Sequence, residues 1–244
     1  FYFDWSPTGD RLATLIGEQR LDVREATAGA AAEEIATPGS FLNPIWTDAG
    51  LLYVRSQGGA AQVVLGEPGA AARILANAPA PLVMTAPQSG DRIAVQATGN
   101  VDGVEASFQA IPTLPLNRLA ILDVATGEIT QVTNTPAAAY FWDPTGEKLL
   151  VLGQNVEERQ LRWSLWADGE LTDLTDFLPS RVWADTYLPF FGQYALSTTM
   201  WSPDGSSFVF PGLIGERGGI YVQDVGGGDP VFVSEGNWAV WSPR

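Results

Sequence analysis

The sequence predicts an all-β fold in which one antiparallel sheet is built several times. The phrase "YFDWSPTGDRLAT" near the start returns as "YFWDPTGEKLLVL" and again as "TTMWSPDGSSFVF". In many of the segments between these phrases, apolar and polar residues alternate with a period of two, as they do in antiparallel strands. Residues typical of tight turns separate the segments. Each phrase therefore begins a group of short strands.

The repeat has a basic period near 40 residues. Its anchor positions are Trp5, Trp46, Thr85, Trp142, Trp201 and Trp241, separated by 41, 39, 57, 59 and 40 residues. Two insertions explain the two long separations. The third repeat departs from the pattern, because "MTAPQSGDRIAV" has no tryptophan, and the second turn, "IWTDAG", has no proline. We expect both repeats to form with looser hairpins.

The same elements follow each anchor. The first is a Ser-Pro-x-Gly turn, in which proline fixes φ near −65° and glycine tolerates positive φ. An apolar strand, a second strand, a turn of small residues and a third strand come next. The strands read "RLATLI", "QRLDVREA" and "EEIAT" in the first repeat, and "GLLYVR", "AQVVLG" and "ARILA" in the second. "WSPDG" is therefore the turn between two strands of a hairpin.

The later repeats continue this order. Their strands read "DRIAVQ", "NRLAILDV" and "ITQVT", then "EKLLVLG", "LRWSLW" and "LTDLT", then "SSFVF", "GIYVQDV" and "PVFVS". Four antiparallel strands about every 40 residues predict a β-propeller. We expect one propeller domain over residues 1–244. Its blades are predicted at about 1–38, 39–77, 78–134, 135–176 and 198–235, with a partial blade at 236–244 and an aromatic insertion at 177–197.

The anchor phrases resemble those of a known family. "FDWSPTGDRL", "FWDPTGEKL", "MWSPDGSSF" and "VWSPR" are similar to the repeat of the bacterial TolB-like propellers, a WD-repeat-like family. "IYVQDVGGGDPVFVS" matches the third and fourth strands of that repeat, and the resemblance covers essentially the whole chain. The motif residues are structural in the family. The resemblance therefore implies a fold and an extracytoplasmic location, periplasmic or at the cell surface.

The last anchor has no strands after it. The sequence thus predicts five complete four-stranded blades plus one C-terminal inner strand of a sixth, "NWAVWSPR". A single inner strand has no hairpin partner in the sequence. We expect the chain to be part of a larger ring of six to seven blades, completed by a segment outside this sequence. The equivalent spacing of the anchor tryptophans predicts that they pack in the core between blades.

Composition narrows the classes of function. The chain has 28 acidic and 13 basic side chains, giving a net charge of −15. This charge argues against nucleic acid and anionic lipid, and favours a neutral or cationic partner. The absence of histidine and cysteine removes the common nucleophile dyads and thiolate sites. No apolar run approaches the ~20 residues of a membrane-spanning helix. We predict no catalytic residue, no cofactor and no membrane insertion in this segment.

The insertion at 177–197 holds the candidate binding residues. They are Trp183, Tyr187, Phe190, Phe191 and Tyr194. Loops of this length are uncommon unless they are functional or disordered, and this one is too aromatic for disorder. Two interpretations stay open. The aromatic side chains form a recognition surface for a partner, or the segment plugs the ring or packs across a blade as a helix-like turn.

A second insertion, at 98–117, is predicted to be an exposed loop between two strands of the third repeat. Its two acidic residues, Asp102 and Glu105, are too few for a calcium loop, so no metal is predicted. Ser202 and Asp204 share the Ser-x-Asp-x-Gly core of the sialidase Asp-box, which is structural there. We interpret both as turn residues.

The pattern favours a non-catalytic binding or scaffolding propeller. Its partner would be a protein or peptide, held by one ring face or by the aromatic insertion. The alternative is the gating propeller domain of a larger prolyl-oligopeptidase-like hydrolase. A propeller enzyme that uses carboxylates in a central channel is a third interpretation, and the sequence identifies no residue for it.

Overall fold

The computed structural model describes residues 2–38, 42–57, 60–66, 69, 71–78, 81–87, 91–98, 111–194 and 197–242. Within these residues the strands form four antiparallel sheets. The chain consists of two compact units, Phe1–Asn134 and Thr135–Arg244. The division between them falls at the predicted boundary between the third and fourth blades.

The first unit contains three sheets of four strands, each paired in chain order. Blade 1 is β1 (Tyr2–Trp5), β2 (Arg11–Ile16), β3 (Arg20–Glu25) and β4 (Glu33–Ala36). Blade 2 is β5 (Ile45–Thr47), β6 (Gly50–Gln57), β7 (Ala60–Gly66) and β8 (Arg73–Ala78). Blade 3 is β9 (Leu82–Thr85), β10 (Arg92–Ala97), β11 (Leu119–Asp123) and β12 (Ile129–Gln131). These are the predicted four-stranded blades.

The second unit contains one sheet of seven strands. Blade 4 is β13 (Ala139–Trp142), β14 (Leu149–Asn155), β15 (Gln160–Ala167) and β16 (Glu170–Pro179). Blade 5 contains β17 (Ser207–Ile214), β18 (Arg217–Asp224) and β19 (Val231–Ser234). Two residue pairs, Leu178 with Leu213 and Pro179 with Gly212, join β16 to β17. Between these strands lie a π-helical turn (Trp183–Tyr187), a 3-10 turn (Leu188–Phe190) and α1 (Phe191–Tyr194).

The predicted hairpin turn has the same hydrogen bonds in blades 1, 4 and 5. A side-chain oxygen at the turn's first residue accepts the backbone N–H five residues later. The pairs are Ser6 with Arg11 (3.0 Å), Asp143 with Lys148 (2.8 Å) and Ser202 with Ser207 (3.0 Å). The glycines of the three turns, Gly9, Gly146 and Gly205, have φ of 72°, 73° and 65°. These positive angles confirm the role predicted for glycine.

The outermost strand of blades 1, 2, 4 and 5 carries a β-bulge. In each blade the pairing register shifts by one residue against the third strand. The residues left out of the pairing are all apolar: Ile35, Leu75, Leu174 and Val233. A bulge bends its strand and turns the extra side chain relative to the sheet. The sequence patterns gave no sign of this feature.

The core of the first unit includes the contact between blades 1 and 2. Ala13, Leu15, Leu21 and Val23 of blade 1 pack with Leu51, Tyr53 and Val64 of blade 2. Trp46 adds two hydrogen bonds to the inner strand of blade 1. Its indole N–H donates to the Asp4 carbonyl (3.2 Å) and its backbone N–H donates to the Asp4 carboxylate (3.0 Å). Burial raises the pKa of Asp4, and hydrogen bonds from the backbone N–H groups of Trp46 and Trp5 partly oppose the shift.

The core of the second unit is aromatic. Trp163 lies at 5.4 to 6.1 Å from the rings of Phe177, Phe208 and Phe210. Trp201 donates its indole N–H to the Phe141 carbonyl at 3.0 Å, which repeats the bond between Trp46 and Asp4. The predicted packing of anchor tryptophans between blades is therefore confirmed for Trp46 and Trp201.

The structure differs from the predictions in several places. Trp5, which was predicted to pack between blades, is 50% exposed. Part of the second insertion, predicted to be an exposed loop, bonds to Asn77 of β8 and buries Leu114.

The inner strand of blade 5 is reduced to a single bridge between Trp201 and Phe208. The predicted C-terminal strand is absent from the described residues 235–242, where the segment lies beside Thr199 instead. The Thr199 carbonyl accepts the Trp241 N–H, and this bond joins the C-terminal segment to the residues just before Trp201. The insertion also begins later than predicted, because Phe177–Pro179 still belong to β16.

A candidate binding groove beside the aromatic insertion

A serine hydroxyl bonds to the first turn of the insertion. β16 ends at Pro179, and the Ser180 hydroxyl accepts the backbone N–H of Trp183 at 3.2 Å. This bond is of the type that starts helices, since it satisfies one of the free N–H groups of the first turn. The same hydroxyl donates to the carbonyl of Asn237 at 3.1 Å. Ser180 thus ties the insertion to the C-terminal segment.

The structure buries most of the predicted binding residues. Trp183, Tyr187 and Phe191 are at most 5% exposed, whereas Phe190 is 49% exposed. The Tyr194 backbone ends α1, and its side chain lies outside the described part of the structure. As direct binding anchors, the three buried residues have little surface to offer a partner. Of the candidates with a described side chain, only Phe190 presents one to solvent.

The buried residues pack across blade 4. Trp183 lies 5.8 Å from Trp163 and stacks on Tyr187 at 5.9 Å with an interplanar angle of 4°. Phe191 meets the inner strand of the same blade, at 4.9 Å from Tyr140 and 5.5 Å from Phe141. This arrangement is the helix-like turn packed across a blade. The recognition-surface interpretation is corrected for these side chains, because their rings complete the core.

A groove lies between the insertion and the C-terminal segment. Its volume is about 440 Å³, and its walls include Val182, Thr186, Tyr187, Thr198, Trp238 and Val240. Trp238 is 44% exposed, and Val182 and Val240 are exposed to a similar degree. Isolated exposed apolar residues are common, but three on the walls of one concavity are characteristic of a binding site. We call this concavity the C-terminal groove.

Hydrogen bonds fix the C-terminal segment on both sides of its groove-lining residues. Ser180 holds the Asn237 carbonyl at one end. At the other end Thr199 makes two hydrogen bonds to Trp241. The Thr199 carbonyl accepts the Trp241 N–H at 2.7 Å, and the Thr199 hydroxyl donates to the Trp241 carbonyl at 2.9 Å. Trp238 packs edge-on against Tyr187, with ring centroids 5.0 Å apart. The wall that carries Trp238 and Val240 is therefore positioned before any partner arrives.

The floor of the groove is neutral. Burial raises the pKa of Tyr187 to about 12, and a hydrogen bond with Thr198 opposes the shift in part. The phenol therefore keeps its proton at physiological pH, and its hydroxyl is buried beneath the apolar walls. Asp185 precedes Thr186 in the same helical turn, and Glu235 precedes the segment that carries Trp238; both are exposed. Arg181, which precedes Val182, is exposed as well, so the sequence neighbours of the groove-lining residues carry both signs of charge.

Of the six groove-lining residues named above, the sequence analysis singled out only Tyr187. Val182 lies inside the insertion but is not aromatic, and Trp238 and Val240 were assigned to a predicted strand. Residues 238–241 read Trp-Ala-Val-Trp, an entirely apolar run with no alternation, so the sequence did not indicate which side chains would face a groove.

The charged side chains of blade 4 form a separate cluster. Arg162 donates to Asp173 and to Asp176, each at 2.6 Å, and Asn155 donates to Asp176 at 2.9 Å. The hydrogen bond from Arg162 lowers the pKa of Asp176. Each acidic group is satisfied by a neighbour on the hairpin, so the cluster is explained by strand pairing.

In the described ranges no three Asp or Glu residues come together as a metal site would require. Asp102 and Glu105 of the second insertion lie outside those ranges. Among the residues that the structure describes, no helix has the length and apolar character needed to cross a bilayer.

Comparison of sequences identifies no family. No family profile matches the chain, and no curated protein matches it either. Comparison of structures is informative. TolB from Acinetobacter baumannii aligns with a TM-score of 0.51 and 13% identity over 93% of this chain. The fold is that of a TolB-like β-propeller. The chain spans 52% of that TolB, or about half its length.

Two other solved structures align in the same way. An oligogalacturonate lyase in complex with manganese gives a TM-score of 0.57 at 15% identity, covering 100% of this chain and 67% of the lyase. The β-propeller domain of the Trilobed protease from Pyrococcus furiosus gives 0.52 at 11% identity, covering 97% of this chain and 71% of that domain. At these identities the similarity establishes the propeller fold and nothing finer.

Proposed function

We propose that this chain is a non-catalytic binding propeller that holds a protein or peptide partner in the C-terminal groove. The proposal depends on one observation. Three apolar side chains, Val182, Trp238 and Val240, stay exposed on the walls of one concavity of about 440 Å³. This volume lies in the usual range for ligand sites.

The energetics of the groove suit a short peptide segment. Tryptophan is enriched among residues whose truncation costs most of the binding energy, because it offers a large apolar area with few torsions to fix. Apolar area contributes about 25 cal/mol per Å² when it leaves water. The pinned wall reduces the ordering cost that binding otherwise carries. An apolar or aromatic side chain of the partner would lie against Trp238 over Tyr187.

Charge favours a neutral or cationic partner. The chain carries a net charge of −15, although the sequence neighbours of the groove-lining residues carry both signs of charge. A net negative charge speeds the approach of a basic peptide and slows that of an acidic one. The partner's apolar anchor would therefore be flanked by Lys or Arg, and binding would weaken as salt is added.

We also propose an extracytoplasmic location, periplasmic or at the cell surface. The resemblance of the anchor phrases to TolB-like propellers supports it, and so does the structural similarity to TolB. Fractionation of cells that express the natural gene, followed by detection of this chain, tests the location directly.

A second candidate is supported by one comparison. The similar chain from Pyrococcus furiosus is the propeller domain of a protease, and that relation favours a gating domain of a larger hydrolase. The two functions differ in a simple assay. A gating domain belongs to a gene product that cleaves peptides, whereas a binding propeller retains them intact. Incubating the full gene product with a peptide mixture and measuring cleavage by mass spectrometry separates the two.

Selection from a displayed peptide library tests the groove itself. We expect the selected peptides to share an apolar or aromatic residue with basic neighbours. Trp238→Ala should weaken their binding about tenfold or more, which is the effect of losing a central anchor. Phe190→Ala is the matched control, because Phe190 is equally exposed but is not a groove-lining residue. Equal loss in both variants, or none in either, would rule the groove out as the site.

A further inference from the structure

The turn between the first two strands is shorter in blade 2 than in the other blades that carry an anchor tryptophan. Trp46 pairs with Leu51, five residues later. In blades 1, 4 and 5 the partner of the tryptophan lies seven residues later, at Leu12, Leu149 and Phe208. Blade 2 therefore has four turn residues, "TDAG", where blade 5 has six, "SPDGSS".

Between blades 4 and 5 the longer turn closes the space beside the preceding blade. The Lys148 ammonium donates to the Gly205 carbonyl at 3.3 Å, which joins the end of the blade 4 turn to the tip of the blade 5 turn. The two turns also touch, since a Cβ atom on Gly205 would lie 3.3 Å from the Asp143 carboxylate. This junction thus contains a cationic side chain of the chain itself.

Between blades 1 and 2 the corresponding place is a cavity of about 290 Å³. The residues of the two turns that line it include Thr8, Asp10, Arg11, Trp46, Asp48 and Gly50. Arg11 has the position of Lys148, because each directly precedes the residue that pairs with its blade's tryptophan. The short turn of blade 2 leaves this space unfilled. We call it the Trp46 cavity.

Glu25 explains why Arg11 does not close the cavity as Lys148 closes its junction. The Arg11 guanidinium lies 3.4 Å from the Glu25 carboxylate, and the two residues are paired on the same hairpin. In blade 4 the position of Glu25 is occupied by Ala167, which has no charge to offer Lys148. Arg11 is therefore held by its own blade, whereas Lys148 reaches the next one.

The other charged residues of the lining are acidic. Hydrogen bonds from the Thr8 and Ser6 hydroxyls lower the pKa of Asp10, so this carboxylate is ionised at neutral pH. In the described part of the chain, no hydrogen bond or ion pair engages the carboxylate of Asp48, which is exposed. Trp46 beside them is half-buried. Carboxylates and tryptophan rings both attract cations.

We propose that the Trp46 cavity binds a basic side chain, lysine or arginine, of a peptide partner. The cation would lie against Asp10 and Asp48, in the place that corresponds to Lys148 between blades 4 and 5. The net charge of −15 favours the approach of such a partner. Both walls of the cavity belong to complete four-stranded blades. No lining residue is shared with the C-terminal groove, so the site is independent of the proposed function.

Titration of the ¹⁵N-labelled chain with the capped peptide acetyl-Gly-Lys-Gly-amide tests this. We expect saturable changes in the backbone amide signals of Asp48 and Gly50, and the same changes when arginine replaces lysine in the peptide. A peptide with norleucine at that position has no charge and should not bind. Asp48→Asn should weaken lysine binding about fivefold, the effect of losing one ion pair at an open site.

Asp204→Asn is the matched control, because it removes one carboxylate from the corresponding turn of blade 5. It should bind the lysine peptide as the wild type does. No response of the wild type to lysine, equal binding of norleucine and lysine, or equal weakening in the two Asn variants would overturn the proposal.

Glu25→Ala gives blade 1 the arrangement of blade 4 and changes no lining residue. Arg11, released from its partner, should enter the cavity and weaken lysine binding about fivefold. Replacing "TDAG" with "SPDGSS" gives blade 2 the longer turn of blade 5 and should abolish binding. Far-UV circular dichroism checks that both variants fold. If both folded variants bind lysine as tightly as the wild type, the peptide binds elsewhere and the proposal is wrong.

Discussion

Trp5 and Trp201 begin nearly identical phrases and end in opposite surroundings. Each is followed by a Ser-Pro-x-Gly turn with the same hydrogen bond from the serine hydroxyl. Trp201 is 5% exposed and bonds to Phe141 on the preceding blade, whereas Trp5 is 50% exposed. The local phrase thus determines the turn, and the neighbouring blade determines whether the tryptophan contributes to the core.

The largest expected difference in stability is between the variants that remove Trp201 and Trp5 one at a time. Trp201→Ala should lower the free energy of unfolding by about 3–5 kcal/mol, the usual cost of deleting a large buried aromatic side chain. Trp5→Ala should change the stability of the dilute, monomeric chain by less than about 1 kcal/mol, because half of the ring is already in water. Urea denaturation followed by circular dichroism measures both.

Trp201→Phe separates packing from hydrogen bonding in that comparison. It keeps an aromatic ring but removes the N–H that reaches the Phe141 carbonyl. We expect a loss smaller than that of Trp201→Ala. If Trp5→Ala proves as damaging as Trp201→Ala, the Trp5 ring is covered within the monomer, and the contrast between the two blades fails.

A second pair of equivalent positions should show the next largest difference in stability when each is replaced by alanine. Gly153 and Gly212 each lie four residues after the first residue paired with the blade's tryptophan. A Cβ atom on Gly153 would meet nothing within 4 Å, whereas one on Gly212 would lie 2.5 Å from the Phe177 ring. Gly212→Ala should therefore cost about 1–3 kcal/mol through overpacking.

Gly153→Ala should be neutral or slightly stabilising, since glycine in a strand interior costs about 0.5–1 kcal/mol relative to alanine. The same urea titrations compare the two variants. Equal effects would mean that Phe177 moves aside without cost, and that the junction between β16 and β17 is loosely packed.

These comparisons mark the limit of what the sequence predicts. The turns at Ser6 and Ser202 were predictable because proline, glycine and a short hydroxyl side chain fix them locally. The four-stranded blades followed from apolar alternation. The bulges at Ile35 and Val233 leave no local pattern. The burial of Trp183 depends on Trp163, twenty residues earlier, and the groove at Trp238 depends on Ser180 and Thr199. Such contacts are set by the packed blades.

Replacing the turn serine should lower stability by a smaller amount, and by about the same amount in blades 1 and 5. Ser202→Ala leaves the Ser207 N–H without its side-chain acceptor, and Ser6→Ala does the same to Arg11. We expect each to cost about 1 kcal/mol, the typical net value of one such bond. Thermal unfolding of both variants checks this. A cost confined to Ser202→Ala would show that the turn, like the tryptophan, depends on the neighbouring blade.

The smallest effect concerns the carboxylate beside Ser202. Hydrogen bonds from the Ser202 hydroxyl (2.6 Å) and from the backbone and hydroxyl of Ser206 (3.0 and 2.8 Å) lower the pKa of Asp204 from 3.8 to about 2. Because the folded pKa is lower than the unfolded one, this group stabilises the fold fully above pH 4. The contribution disappears as pH falls from about 4 to 2.

Carboxyl ¹³C shifts followed by NMR titration measure this directly. The Asp204 midpoint should lie near 2 in the wild type and move towards 3.8 in Ser206→Ala, which removes one of the donors. Asp204→Asn should flatten the dependence of unfolding on pH in the same interval. Hydrogen bonding also lowers the pKa of Asp10, which accepts from Ser6 and Thr8 in blade 1. If Asp10 shifts while Asp204 titrates near 3.8, the equivalence of the two turns does not extend to their carboxylates.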